Sequence, residues 1–165
     1  MQQHCYFVNE RRRQMLKGIP PILSPELLKI LCEMGHTDEI TIADGNFPGH
    51  SFGKPVIRLD GHGVPEVLDA ILQVFPLDTY PDRNGEMHAP CVLMSLEPGD
   101  VGKLSTPIWD EYKTIAAKYD ERGAAAFEEI NKWKFYDRTR EKSCCVIMTS
   151  EKALYANIIL RKGVV

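Results

Sequence analysis

His36, Asp44 and the run Tyr155-Ala156-Asn157 are the residues best fitted to handle protons and hydroxyl groups. A free imidazole titrates near ~6.5, so His36 can give and take protons close to neutrality. Asp44 can accept hydrogen bonds from hydroxyl groups or orient His36 through a ring N–H. The amide of Asn157 both donates and accepts, and Tyr155 offers an aromatic face with a polar tip. Such a set suits acid–base work on a small hydroxylated molecule, where positioned proton transfer typically contributes ~10²–10⁴ in rate. Each group also has a plainer reading. His36 can be a capping or core histidine, Asp44 a solvated strand end, and Tyr155–Asn157 a turn in which Asn157 serves the backbone.

The surrounding pattern supplies the elements that hold them. Ser24-Pro25-Glu26 reads as a helix start, with a serine cap, proline at the first position and an acid facing the dipole. Leu27, Leu28, Leu31 and Met34 recur at helical spacing, and Gly35 is suited to leave the helix in a left-handed conformation. His36 therefore falls on the link after a helix. Ile40 to Ala43 alternates as a strand that Asp44 ends, an address where ligands gather in α/β proteins. Further strands are predicted at Val56–Leu59, Cys91–Met94, Cys144–Met148 and Ile158–Leu160. Helices are predicted after Val64-Pro65-Glu66, with Val67, Leu68, Ile71, Leu72 and Phe75 along one side, and after a Thr106-Pro107 cap. Tyr80–His88 is a loop, Ile130–Trp133 a brief extended stretch, and a charged helix runs from Lys134 to Lys142. Strands alternating with helices predict one α/β domain, residues 15–165, behind an N-terminal extension of residues 1–14.

Composition narrows the function classes. The chain of 165 residues, 44% hydrophobic and 26% charged, is long enough for a substantial core. A net charge of -3 with mixed signs argues against a nucleic-acid partner, the only basic run being Arg11-Arg12-Arg13. No apolar stretch approaches the ~20 residues of a membrane span. The five cysteines fit buried thiols in a reducing cytoplasm, without zinc-type spacing. A metal bound by His36, His50 and Asp44 is conceivable but is not called for by the chemistry.

In sequence order, Met34-Gly35-His36-Thr37-Asp38-Glu39, Asp44-Gly45-Asn46-Phe47-Pro48-Gly49-His50-Ser51, Val56-Ile57-Arg58-Leu59-Asp60-Gly61, Phe135-Tyr136-Asp137-Arg138, Tyr155-Ala156-Asn157 and Arg161-Lys162-Gly163-Val164 resemble the fucose mutarotase and ribose pyranase family. The resemblance implies a compact α/β domain of that family's fold and interconversion of the ring forms of a free sugar without cofactor or metal. By resemblance His36 is the proton donor, and Asp44, Lys132, Tyr136, Tyr155, Ala156 and Asn157 bind sugar. It further implies a cytoplasmic homo-oligomer, often a decamer, with sites where subunits meet. Lys132 stands where fucose mutarotases usually carry arginine, and lysine cannot imitate that planar fork. Asn46 replaces a histidine of many relatives, His50 is a pocket wall or structural, and His62 is an exposed turn residue.

Fragments 56–58, 135–138 and 161–164 are closer to the fucose branch, whereas Ala156 follows the ribose branch. L-Fucose is thus the leading sugar, with D-ribose pyranase activity as an alternative. A sugar-binding accessory protein without catalysis is the reading from a different class, and a metal-dependent sugar isomerase a third.

Overall fold

The computed structural model describes residues 16–165; the 1–14 extension and Cys5 lie outside the described residues. The helix α1 spans Pro25–Glu33, and the Ser24 hydroxyl accepts the N–H of Leu27 at 3.2 Å as the predicted cap. Strand β1 is Glu39–Ala43, β2 Val56–Leu59, and α2 Val64–Leu72. They are followed by β3 Cys91–Met94, α3 Pro107–Ala116, β4 Phe127–Ile130, α4 Lys132–Lys142, β5 Ser143–Thr149 and β6 Ile158–Arg161.

The six strands form one sheet in the order β2-β5-β1-β6-β3-β4. Pairing is parallel in β1–β5, β2–β5 and β3–β4, whereas β6 runs antiparallel to both β1 and β3. The sheet is therefore a parallel assembly with one reversed strand near its middle. Side-chain alternation divides the core in two. Ile40, Ile42, Ile147, Ile158 and Leu160 face a large cluster with Leu27, Leu31, Leu68, Ile71 and Tyr112 from α1, α2 and α3. Ala43, Val92, Met94, Val146, Met148 and Ile159 face the other way, onto Phe135 of α4 and Phe47. All five residues of β1 are buried, as expected of a strand covered on both faces.

Several local expectations are corrected. Gly35 does not take the left-handed conformation; α1 ends through an extended Met34, and Thr37 has the positive φ of 72°. Its N–H is tied to the Lys162 carbonyl at 2.8 Å, so the tertiary contact fixes the bend that glycine would have made locally. Lys132 and Trp133 are not extended but begin α4, because the Asn131 side chain accepts the Lys134 N–H and caps the helix there. The Thr106 side chain makes no cap bond to α3. Cys32 is exposed, whereas Cys91 and Cys145 are buried.

The chain after β6 closes back on α1. The Lys162 ammonium donates to the carbonyls of Leu31, at 3.2 Å, and Met34, while the Lys162 N–H reaches the Asp38 carbonyl at 2.8 Å. The two ammonium bonds satisfy carbonyls left open at the C-terminus of α1.

Candidate functional site

The register of β1 against β6 builds the centre of the site. Ile42 pairs with Ile158, so the residues just beyond, Asp44 and Asn157, meet at the carboxyl end of β1. The Asn157 amide oxygen accepts the Asp44 N–H at 2.9 Å, and its nitrogen donates to Asp44 Oδ2 at 2.8 Å. Asp44 Oδ1 accepts the Asn46 N–H at 2.9 Å. Both side chains are only 4% exposed, and both line an open cavity of about 260 Å³. Burial pushes the Asp44 carboxyl above its ordinary range, against the opposing pull of the Asn46 N–H, the Asn157 amide and the N–H groups of Ala156 and Phe47.

The cavity lies where β6 reverses the sheet, outside the carboxyl ends of β1, β3 and β4. Met94 ends β3, and Lys132 and Tyr136 enter from the first turns of α4. Tyr136 packs edge-on against Phe47 at 5.4 Å and Trp133 at 6.0 Å. The Lys132 ammonium stands 5.3 Å from the Trp133 ring and 5.8 Å from the Tyr136 ring, so it is held over aromatic faces. Burial, with the charges of Asp44 and Glu97, raises the Tyr136 phenol. Trp133 itself is 64% exposed at the edge of this group.

The Tyr155-Ala156-Asn157 turn is anchored from behind by α3. The Trp109 indole N–H donates to the Tyr155 carbonyl and the Tyr112 hydroxyl to the Ala156 carbonyl, each at 2.8 Å. Tyr155 has a φ of 59°, unusual for a bulky residue. Tyr155 lines the cavity, but Ala156 does not: its side chain is sealed in the core, and only its backbone serves the site. Asn46 lines the cavity where a histidine was noted as absent, whereas His50 sits exposed on the turn Gly49–Phe52 and is not part of the wall. His62 is half-exposed and bonded to Glu66 at 2.8 Å.

His36 does not reach this cavity within one chain. It precedes β1 while Asp44 follows it, so the five-residue strand separates them by about 16 Å at ~3.3 Å per residue. Asp44 therefore does not orient the imidazole; Asp78 does. His36 Nε2 lies 3.0 Å from Asp78 Oδ1, and the ring meets Tyr80 edge-on at 5.4 Å. Asp78 is 3% exposed and also accepts the Tyr80 N–H at 3.0 Å. Arg161 Nε stands 2.9 Å from Asp78 Oδ2, close enough for an ion pair but without hydrogen-bond alignment. Burial pushes the Asp78 carboxyl up, but the Tyr80 N–H, His36 and Arg161 outweigh it and hold it below the usual range. The imidazole is 39% exposed, so it is braced on one side and open on the other.

The cavity is completed by Phe47, Met94, Asp100, Leu104 and Leu154, none of which the sequence marks as a site candidate. For Asp78 a signal existed: a carboxylate directly after apolar Phe75-Pro76-Leu77, outside any helix. Among the described residues, His36, His50 and Asp44 do not form a metal trio. Asp82, Glu86 and His88 do bring ligand atoms within 4.8 Å of one another, on the Tyr80–His88 loop. Asp82 is held near about 2 by the Glu86 N–H, His88 and the Asn84 N–H, so the turn itself satisfies that carboxylate.

Residues 17–165 match the RbsD / FucU transport protein family. The chain is 45% identical over 153 residues to the fucose mutarotase of Homo sapiens, covering 90% of this chain and 94% of the relative. Its fold superposes on FucU from Bifidobacterium longum with a TM-score of 0.83 and 52% identity, covering 90% of this chain and 99% of that one. It also superposes on the fucose mutarotase of Streptococcus pneumoniae in complex with L-fucose, with a TM-score of 0.78 and 39% identity, covering 91% and 99%.

Proposed function

Because the chain belongs to the RbsD / FucU family, we propose that it is an L-fucose mutarotase, an isomerase that interconverts the α and β anomers of the free sugar. The observation that carries this reading is the reciprocal Asp44–Asn157 pair on a small cavity with an aromatic wall. A buried carboxylate with its geometry fixed by an amide retains lone pairs for sugar hydroxyls. Tyr155 and Tyr136 offer faces for the apolar side of the ring, and Lys132 adds a donor. The named relatives at 39–45% identity are fucose mutarotases, which favours fucose over ribose.

Ring opening requires a proton on the ring oxygen as its bond to the anomeric carbon breaks, and loss of a proton from the anomeric hydroxyl. The aldehyde then rotates, and the reverse transfers close the ring on its other face. No electrons are exchanged. His36, oriented by Asp78, is the proton donor in this reading. The separation along β1 supports a composite site in which the cavity of one copy receives the His36–Asp78 pair of a second. The protein is accordingly a homo-oligomer, a decamer by family resemblance, and acts in the cytoplasm. The free thiols of Cys91 and Cys145 agree with a reducing compartment.

Saturation-transfer NMR on equilibrated L-fucose tests the reading. Wild-type protein is expected to accelerate anomer exchange. His36→Ala should lose ~10²–10⁴ of that rate while retaining sugar binding. Exchange of ribose but not fucose would overturn the sugar preference. Binding with no exchange for any sugar would make the protein an accessory binder.

A further inference from the structure

We propose that Asp100 is a positioning residue of the sugar site: it captures the Tyr155 hydroxyl, so that Tyr155 meets the ligand with its ring face. The inference rests on the cavity being the sugar site. Asp100 lies on the connection between β3 and α3, far in sequence from Tyr155, yet both line the cavity. The Tyr155 hydroxyl donates to Asp100 Oδ2 at 2.5 Å, and the Glu97 N–H donates to the phenol oxygen at 3.3 Å. A phenol donating to a carboxylate makes a charge-assisted bond, stronger than one between neutral groups. The phenol proton is thereby committed within the protein and is not offered to a sugar hydroxyl.

The backbone supports the same assignment. A bulky residue at φ 59° persists only where its surroundings hold it. Trp109 fixes the Tyr155 carbonyl from the core side, and Asp100 fixes the opposite end of the same residue. Asp100 also shapes its own loop: its carbonyl accepts the N–H groups of Lys103 and Leu104, both at 3.0 Å, turning the chain where Leu104 joins the cavity wall. One residue thus joins the rim to the aromatic platform.

The test compares Asp100→Ala, Asp100→Asn, Tyr155→Phe and the double variant Asp100→Ala/Tyr155→Phe as full-length protein. Readouts are L-fucose exchange, L-fucose binding and the tyrosine ¹³Cζ resonance of Tyr155. Asp100→Ala should move that resonance without sugar present and raise KM about tenfold, with a smaller change in kcat. Asp100→Asn, whose amide oxygen can still accept the phenol proton, should recover part of the loss. The double variant should be no weaker than Tyr155→Phe, because both changes remove one contact. Losses that multiply, or an unmoved resonance in Asp100→Ala, would overturn the proposal. If Asp100→Ala does not fold, the Tyr155 resonance in Asp100→Asn and L-fucose binding by Tyr155→Phe still decide it. Absence of exchange in wild-type protein would count against the mutarotase reading alone, since resonance and binding judge Asp100 independently.

Discussion

Asn157→Ala removes both arms of the pair that fixes Asp44. The bond from the Asp44 N–H is neutral and worth about 1 kcal/mol; the amide bond to the carboxylate is worth ~1.5–3 kcal/mol. Their loss in a site only 4% exposed should destabilise the fold by about 2.5–4 kcal/mol. With a urea slope of ~2 kcal/mol/M, the unfolding midpoint should fall by about 1–2 M. The same deletion acts on titration. Burial already raises Asp44, and Asn157 is one of the contacts that restrain the rise. An aspartate with a folded pKa above its unfolded one binds its proton more readily when folded. Stability therefore declines as pH climbs from the unfolded value through the folded one, then levels. The variant should show a larger decline over that acid window, and the acid limb of its exchange–pH profile should move upward, since ionised Asp44 is the hydroxyl acceptor. Urea unfolding at several pH values and saturation-transfer NMR supply both measurements. A midpoint change below ~0.3 M together with an unmoved acid limb would refute the argument.

Asp78→Asn should reduce exchange about 10–100-fold by leaving His36 unbraced, with fucose binding nearly unchanged by NMR titration. Because the Asp78 carboxyl is depressed in the fold, its stabilisation is present above the ordinary carboxylate range and lost as pH falls through the depressed value; acid unfolding of the variant should lack that component. Arg138→Met should destabilise by about 3–5 kcal/mol in chemical unfolding. It strands the buried Glu39 carboxylate, which Arg138 grips at 2.8 Å while also holding Glu128. Mixing His36→Ala with Asp44→Asn, followed by dissociation and reassembly, should restore about a quarter of the wild-type exchange if each site draws on two copies. No recovery from mixed oligomers would place the whole reaction within one chain.

Much of the architecture was legible because its signals are local. The Ser24-Pro25-Glu26 start, the β1 alternation and the apolar runs of β3, β5 and β6 all report nearest-neighbour preferences. The reversed strand in the sheet was not legible, since Ile158–Arg161 has the same apolar pattern in either direction. Lys132 was misassigned because the cap belongs to Asn131, a residue equally at home in a turn. Asp44 and Asn157 were identified as candidates, but their bond joins residues 113 positions apart and depends on strand register. The partner of His36 escaped for the same reason: Asp78 is linked to it only through the loop after α2 and the end of β6. Composition could not say that His36 and Asp44 would be held apart by β1.

The clasp formed by Lys162 has a consequence for biosynthesis. The bend at Thr37 and the end of α1 flank His36, and beside their local bonds they are held by the backbone and ammonium of Lys162, the ammonium contacts reaching back 128 and 131 positions. A nascent chain on the ribosome therefore carries an unfinished imidazole loop until β6 and Lys162 have emerged.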